Sequence, residues 1–109
     1  MPVNNIAPAE LAAWIADPAR GQPQLLDVRE PWEFEKCRIA NARLVPMREL
    51  PGRLAELDPA AETVLICHHG GRSMQAAVFL ARQGFERVHN LAGGVDAWAR
   101  SVDPAIPVY

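Results

Sequence analysis

A cysteine, two histidines, two glycines and an arginine occupy residues 67–72, directly after the apolar run Thr63–Ile66. A cysteine thiolate is a strong nucleophile, and arginine presents a planar fork of donors that suits oxyanions. Glycines allow a tight concave loop whose backbone N–H groups point inward. The spacing therefore predicts an anion cradle around a nucleophilic sulfur, that of Cys67.

The segment after the loop, residues 73–83, places apolar residues at helical spacing. N–H groups at the start of a helix lack intrahelical partners, and with the helix dipole they favour the thiolate. We therefore expect a reactive, accessible Cys67 sulfur surrounded by inward-turned amides, with Arg72 adding positive charge. The alternatives are a small core cysteine and a non-catalytic anion pocket.

The two histidines of the loop are also candidates for chemistry. His68 and His69 could hydrogen-bond a ligand or carry positive charge, and as loop neighbours they are expected to point in different directions. Adjacent residues in a tight loop rarely converge on one ion, and no second pair of ligands accompanies them. We therefore predict that no metal is bound.

The elements that position this loop follow from apolar periodicity. Strands are predicted over 24–28, 43–45, 63–66 and 88–91, and helices over 8–17, 31–36, 47–57, 73–83 and 94–98. Pro51 should make the third helix begin near Glu49 or Leu50. Alternating strands and helices indicate an α/β fold, a parallel sheet with helices on both faces, in which ligands collect beyond the carboxyl ends of strands.

Composition limits the class of protein. The chain has 109 residues, half of them hydrophobic, which predicts one domain over residues 1–109. The formal net charge of -2, with both signs well mixed, argues against nucleic acid as a partner. The two cysteines favour a reducing compartment, and the absence of a leader-like or membrane-spanning apolar run predicts a cytoplasmic protein without a membrane partner.

Several motifs in order carry a resemblance to a known family. They are LLDVRE at Leu25, EF at Glu33, CHHGGRS at Cys67, GF at Gly84 and LAGGVDAW at Leu91. Together they resemble the rhodanese-like family of single-domain sulfurtransferases. The resemblance implies a single rhodanese-like domain with a five-stranded parallel sheet, whose first strand would lie near residues 3–6.

The resemblance also implies an activity, that of a thiosulfate sulfurtransferase. Cys67 would take a sulfane sulfur from thiosulfate or a similar donor, form a persulfide, and pass the sulfur to cyanide or a thiol, without a cofactor. Its partners would be small-molecule donors and acceptors, or a protein thiol. The substrate cradle would be formed by His68, His69, Gly70, Gly71 and Arg72, and the site would be supported by Asp27 and Arg29.

The chain departs from the family pattern in CRIANA, residues 37–42. Cys37 and Asn41 stand where relatives commonly have glycine, and Arg38 replaces a histidine. Asparagine tolerates left-handed backbone angles, whereas cysteine does so poorly, so the turn could differ there. Cys37 is expected to be structural, and a resolving thiol for Cys67 is the alternative.

Two other functions fit parts of the pattern. Dual-specificity cysteine phosphatases share the fold implied by the resemblance, but their loop has five residues between cysteine and arginine, whereas four separate Cys67 from Arg72. A catalytically idle rhodanese-like interaction module is the second, and the presence of Cys67 counts against it. The sequence leaves the physiological donor and acceptor open.

Overall fold

The structure, a computed structural model, describes residues 3–109. Within that range five strands alternate with four α-helices and one 3-10 helix. In chain order they are β1 (Val3–Ile6), α1 (Pro8–Ala16), β2 (Gln24–Asp27), α2 (Pro31–Lys36), β3 (Arg43–Leu44), the 3-10 helix (Met47–Glu56), β4 (Thr63–Ile66), α3 (Gly71–Arg82), β5 (Val88–Leu91) and α4 (Gly94–Ser101). No helix in these residues is both long and apolar enough to cross a bilayer.

All five strands are parallel and form one sheet in the order β1-β5-β4-β2-β3. The predicted five-stranded parallel sheet is confirmed, including the first strand that only the resemblance implied. β4 lies in the centre, and all four of its residues are buried, which explains its unbroken apolar run. The loop that follows β4 therefore starts at the middle of the carboxyl edge of the sheet.

The sheet has a hydrophobic core on each face because alternate strand residues point to opposite sides. Val64 and Ile66 pack on the side of α1 and α4, next to Trp14 and Trp98. Leu65 packs on the other side, with α3 and the 3-10 helix. Cys67 belongs to this second core, so the residue predicted as the nucleophile also contributes to packing.

Two helix predictions differ from the structure in helix type or in where the helix begins, and the last helix extends to Ser101 instead of ending at Trp98. Residues 47–56 form a 3-10 helix rather than an α-helix starting near Glu49 or Leu50, and Pro51, which has no N–H to donate, lies inside it. The helix after the loop begins at Gly71, two residues earlier than predicted, because Gly70 adopts a left-handed φ of 105° that turns the chain directly into α3.

The turn at CRIANA shows how the two replaced glycines are accommodated. Asn41 has a φ of 68°, in the left-handed region that asparagine tolerates. Cys37 has a φ of -165°, which is extended backbone open to any residue. The change from glycine to Cys37 therefore causes no backbone strain.

Candidate active site

The sulfur of Cys67 lies immediately beyond β4 and accepts a hydrogen bond from the backbone N–H of Gly70, at 3.0 Å. The hydroxyl oxygen of Ser73 is 3.2 Å from the same sulfur. One amide of the predicted cradle is thus turned inward. The expectation of an accessible sulfur is wrong, because Cys67 is only 1% exposed, at the base of a loop whose outer residues His69 and Gly71 are exposed.

Ser73 links the sulfur to a buried amide on β5. Its hydroxyl lies between the Cys67 sulfur and Oδ1 of Asn90, whose Nδ2 donates to Oδ1 of Asn5 at 3.1 Å. A hydroxyl has one proton to donate, so it can serve either the Asn90 oxygen or the sulfur. The hydroxyl can accept from a thiol S–H while bonding Asn90, and can donate to the sulfur once it is a thiolate.

The sequence analysis does not identify Ser73 or Asn90 as site residues. It predicts Ser73 only as the start of a helix. The available signal was Asn90, a polar residue between the apolar ends of the strand Val88–Leu91, since a buried amide needs a partner.

The first turn of α4 holds the backbone of the loop. The N–H groups of Val95 and Asp96 donate to the carbonyls of Cys67 and His68, at 2.9 and 3.1 Å. This approach requires glycine at position 94, where a Cβ would lie 2.4 Å from the Cys67 carbonyl oxygen. The N-terminus of α4 thus holds the loop by binding the carbonyl groups of the loop. The Cys67 sulfur is contacted instead by Gly70 and Ser73.

The expectation that His68 and His69 point in different directions is wrong. Their rings stack with centroids 3.9 Å apart, and the Tyr109 ring stacks on His68 at the same distance, tilted by 4°. His68 is therefore held between two rings. Its Nε2 is buried without a hydrogen-bond partner in the structure, which makes that nitrogen available to a ligand.

Three possible metal ligands meet beside this stack, one each from His68, His69 and Asp96, within 4.8 Å of one another. Imidazole lone pairs lie in the ring planes, and two rings tilted by only 26° do not direct them at one ion. The Asp96 carboxylate also accepts from Arg100 at 3.1 Å, and this bond lowers the pKa of Asp96. The arrangement does not fit a metal centre.

Arg72, predicted to bind substrate, is paired with a carboxylate of α2. Its two terminal nitrogens donate to the two oxygens of Glu33, at 2.8 and 2.9 Å. The Glu33 side chain is only 4% exposed. The Arg72 hydrogen bonds outweigh the cost of burial and lower the pKa of Glu33 to about 2, while the pKa of Arg72 is raised. Glu33 and Arg72 therefore both stay ionised at neutral pH and down to a pH near the lowered pKa of Glu33.

Tyr109 connects this pair to Asp27 and Arg29. The Tyr109 hydroxyl donates to Oε2 of Glu33 and accepts from Nη1 of Arg29, both at 2.8 Å. Burial, the largest effect, raises the pKa of Tyr109 to about 12, so the hydroxyl keeps its proton. Tyr109 was missed in the sequence, and its separation from the loop motif left no local signal.

Asp27 and Arg29 form an ion pair with a 2.7 Å contact and no exposure of either side chain. Burial opposes the charge of Arg29, but the hydrogen bond and charge of Asp27 outweigh it, and the pKa of Arg29 is raised. Nη2 of Arg29 also donates to the backbone oxygen of Cys37, at 2.7 Å. In the described structure the hydrogen bonds of Arg29 lead towards the loop through Tyr109 and Glu33.

Replacing Arg72 with alanine should lower the free energy of unfolding by about 1 to 3 kcal/mol at pH 7, because Glu33 then loses two hydrogen bonds while buried. The contribution of Glu33 is complete above its ordinary pKa of 4.5 and disappears as the pH falls towards 2. Denaturant unfolding should therefore show that the difference in free energy of unfolding between wild type and Arg72→Ala becomes smaller as the pH falls from 4.5 towards 2.

Arg48→Ala is the matched control, because Arg48 pairs with Glu30 at the surface, where both side chains are well exposed. Its effect should stay within about 1 kcal/mol. An Arg72→Ala protein as stable as wild type at pH 7 would contradict a structural role for the pair.

A parallel α/β sheet with a cysteine loop at its carboxyl edge defines the class of protein, and comparison with known proteins gives the family. The model of the rhodanese-like domain matches residues 7–101. The chain belongs to the rhodanese-like family. The resemblance found in the sequence motifs is thereby confirmed.

Named relatives cover the chain to different extents. A sulfurtransferase of Allochromatium vinosum is 38% identical, and the match covers 95% of each chain. The thiosulfate sulfurtransferase GlpE of Pseudomonas aeruginosa is 37% identical over 75% of this chain and 74% of its own. The rhodanese-like/PpiC domain-containing protein 12 of Arabidopsis thaliana is 40% identical over 99% of this chain, which spans only 38% of that protein.

Solved structures agree with the fold. The rhodanese-like domain protein of Staphylococcus aureus has a TM-score of 0.81 and 28% identity, covering 87% of this chain and 90% of its own. A rhodanese-related protein of Thermoplasma volcanium has a TM-score of 0.79 and 32% identity, covering 91% and 93%. The relatives support a sulfurtransferase of the rhodanese type.

Proposed function

We propose that this protein is a sulfurtransferase that carries a sulfane sulfur as a persulfide on Cys67. The observation that carries the proposal is the pair of donors on one sulfur, the Gly70 N–H and the Ser73 hydroxyl. Both can stabilise a thiolate, which is the nucleophilic form. The sulfurtransferases among its relatives supply the class of reaction.

The proposed reaction has two steps. The Cys67 thiolate attacks the outer sulfur of a sulfane donor, the donor's S–S bond breaks, and its electron pair leaves with the departing group, which is sulfite when the donor is thiosulfate. The acceptor, cyanide or a thiolate, then attacks the outer sulfur of the persulfide and restores the thiolate. Covalent catalysis of this kind divides one difficult transfer into two easier ones.

The reaction as proposed needs neither a metal nor an organic cofactor, since thiolate and sulfane sulfur supply all the electrons. A small-molecule donor and acceptor are the proposed partners, and a protein thiol is an acceptor of the same chemistry. Both cysteines, which lie in the described part of the chain, are free thiols. A cytoplasmic location remains a prediction from the sequence.

The test is the intact mass of the purified protein before and after incubation with excess thiosulfate or cysteine persulfide, with reductant removed. We expect a gain of one sulfur, located on Cys67 by peptide mapping. Added cyanide should return the mass to its starting value and release thiocyanate. A protein that gains no sulfur from either donor would contradict the proposal.

Burial of the sulfur is the observation that favours a second function, that of a non-catalytic interaction module. Cys67 is 1% exposed, as expected for a core cysteine. Such a module would show neither sulfur gain nor thiocyanate release. The same mass experiment therefore separates the two functions, and phosphatase activity is tested in parallel with a chromogenic aryl phosphate.

Cys37→Ser should leave sulfur transfer within about twofold of wild type and lower the free energy of unfolding by about 1 kcal/mol. The reason is that Cys37 is buried and its sulfur faces Arg29, 3.8 Å from Nη1. Thiocyanate release and denaturant unfolding measure the two effects. Severe loss of transfer in a stably folded variant would instead support the resolving-thiol role.

A further inference from the structure

We propose that the sulfur donor of this site is a persulfide on an organic thiol rather than the thiosulfate dianion, an inference that rests on the sulfurtransferase function proposed above. It starts from the charges around the loop. Arg72 is held by Glu33 and Arg29 by Asp27. Each arginine that the structure places beside the site already has a carboxylate partner.

Separating Arg72 from the buried Glu33 carboxylate requires a large free energy. Its Oε1 accepts from Arg72 and from the Glu30 backbone N–H, and its Oε2 accepts from Arg72 and Tyr109. A guanidinium that moved to an anionic donor would leave a buried carboxylate with two of these four bonds. Buried charges without partners are strongly disfavoured, so Arg72 remains with Glu33.

The other arginines near the loop are also paired. Arg29 is fully buried, and its remaining donors go to Tyr109 and the Cys37 backbone. At the start of α4, Asp96 is paired with Arg100. A dianion entering the site would meet backbone N–H groups, one of them already on the sulfur, and three arginines already in ion pairs.

Beside the loop the structure presents aromatic rings instead. His69, His68 and Tyr109 form a continuous stack, and Trp32 meets the Tyr109 ring edge-on at 6.1 Å. Trp32 is 57% exposed, which is unusual for so large an apolar side chain. Ring faces and edges suit the carbon frame of an organic persulfide better than the hydration shell of thiosulfate.

The chemistry of the two donors differs in charge. With an organic persulfide R–S–SH, the Cys67 thiolate attacks the terminal sulfur, the S–S bond of the persulfide breaks, and its electron pair leaves on R–S⁻. The proton stays with the transferred sulfur, and one negative charge departs. With thiosulfate the departing sulfite carries two negative charges, and the arginines beside this site that could offset them are already paired with carboxylates.

The test compares Glu33→Gln with wild type, using thiosulfate and cysteine persulfide as donors and sulfur gain on Cys67 as the signal. Because the donors differ in intrinsic reactivity, the informative quantity is the variant-to-wild-type ratio for each. Glutamine keeps the shape of Glu33 and frees the charge of Arg72. We expect kcat/KM for thiosulfate to rise about tenfold, mainly through KM, with persulfide unchanged within about threefold.

Glu35→Gln is the matched control, because it removes the same charge from an exposed position of α2 and should change neither donor by more than about twofold. Should Glu33→Gln not fold, Tyr109→Phe removes one bond to Glu33 and should raise thiosulfate use selectively by about threefold. If the folded variant shows the same variant-to-wild-type ratio for thiosulfate and for cysteine persulfide, the inference about the donor is overturned, and the proposed function still stands. Failure of wild type to load from either donor would overturn the proposed function itself.

Discussion

Replacing Cys67 with serine should reduce thiocyanate formation to the uncatalysed background, a loss on the order of a thousandfold or more. A serine hydroxyl is a far weaker nucleophile than a thiolate, and nothing beside it in the described structure is arranged as a general base. The variant should also gain no sulfur from thiosulfate or from cysteine persulfide. Intact mass and thiocyanate release measure the two losses.

The fold should survive this substitution. The Gly70 N–H and the Ser73 hydroxyl that bond the sulfur can also bond a serine oxygen. The free energy of unfolding should therefore change by about 1 kcal/mol or less. Cys37→Ser is the matched control for removing a thiol. Retained transfer in folded Cys67→Ser would exclude a Cys67 persulfide.

Replacing Gly94 with alanine should lower the free energy of unfolding by about 3 kcal/mol or more and reduce sulfur loading at the same time. A Cβ at this position would lie 2.4 Å from the Cys67 carbonyl oxygen and 2.5 Å from that of His68. Both are backbone atoms, so the loop itself must shift. Gly94 also has a left-handed φ of 60°, which adds strain for alanine.

Thermal or denaturant unfolding measures the stability of Gly94→Ala, and intact mass measures its loading. Gly52→Ala is the matched control, since a Cβ there meets nothing within 4 Å and φ is not positive. That variant should stay within about 1 kcal/mol of wild type. A Gly94→Ala protein with wild-type stability and loading would show that the contact between α4 and the loop does not position Cys67.

The elements that the sequence predicted best are those with a strong local signal. Thr63–Ile66 and Val88–Leu91 were predicted with the bounds observed, because each is a short segment that begins or ends in apolar residues and lies between turn residues. The prediction of an α-helix at the 3-10 helix is wrong, since the leucines of that segment also fit α-helical spacing. Periodicity reports which residues face the core, and it does not distinguish two helix types that bury the same side chains.

For the candidate site, the sequence predicted the loop but not its surroundings. Residues 67–72 form one contiguous motif, whereas the partners of the loop come from distant parts of the chain. Glu33 lies 39 positions from Arg72, and Tyr109 lies 76 positions from Glu33. Only packing of α2 and the C-terminal segment against the same sheet edge brings them together.

By itself, the sequence determined the parallel α/β sheet, the place of Cys67 beyond its central strand and the glycines that shape the loop. These features depend on local apolar runs and backbone preferences. Only the tertiary structure decided that Cys67 is buried, that Ser73 and Asn90 adjoin its sulfur, and that Arg72 belongs to Glu33. The reason is that burial and ion pairing depend on which residues meet in space, and an arginine binds the nearest buried carboxylate whatever its position in the chain.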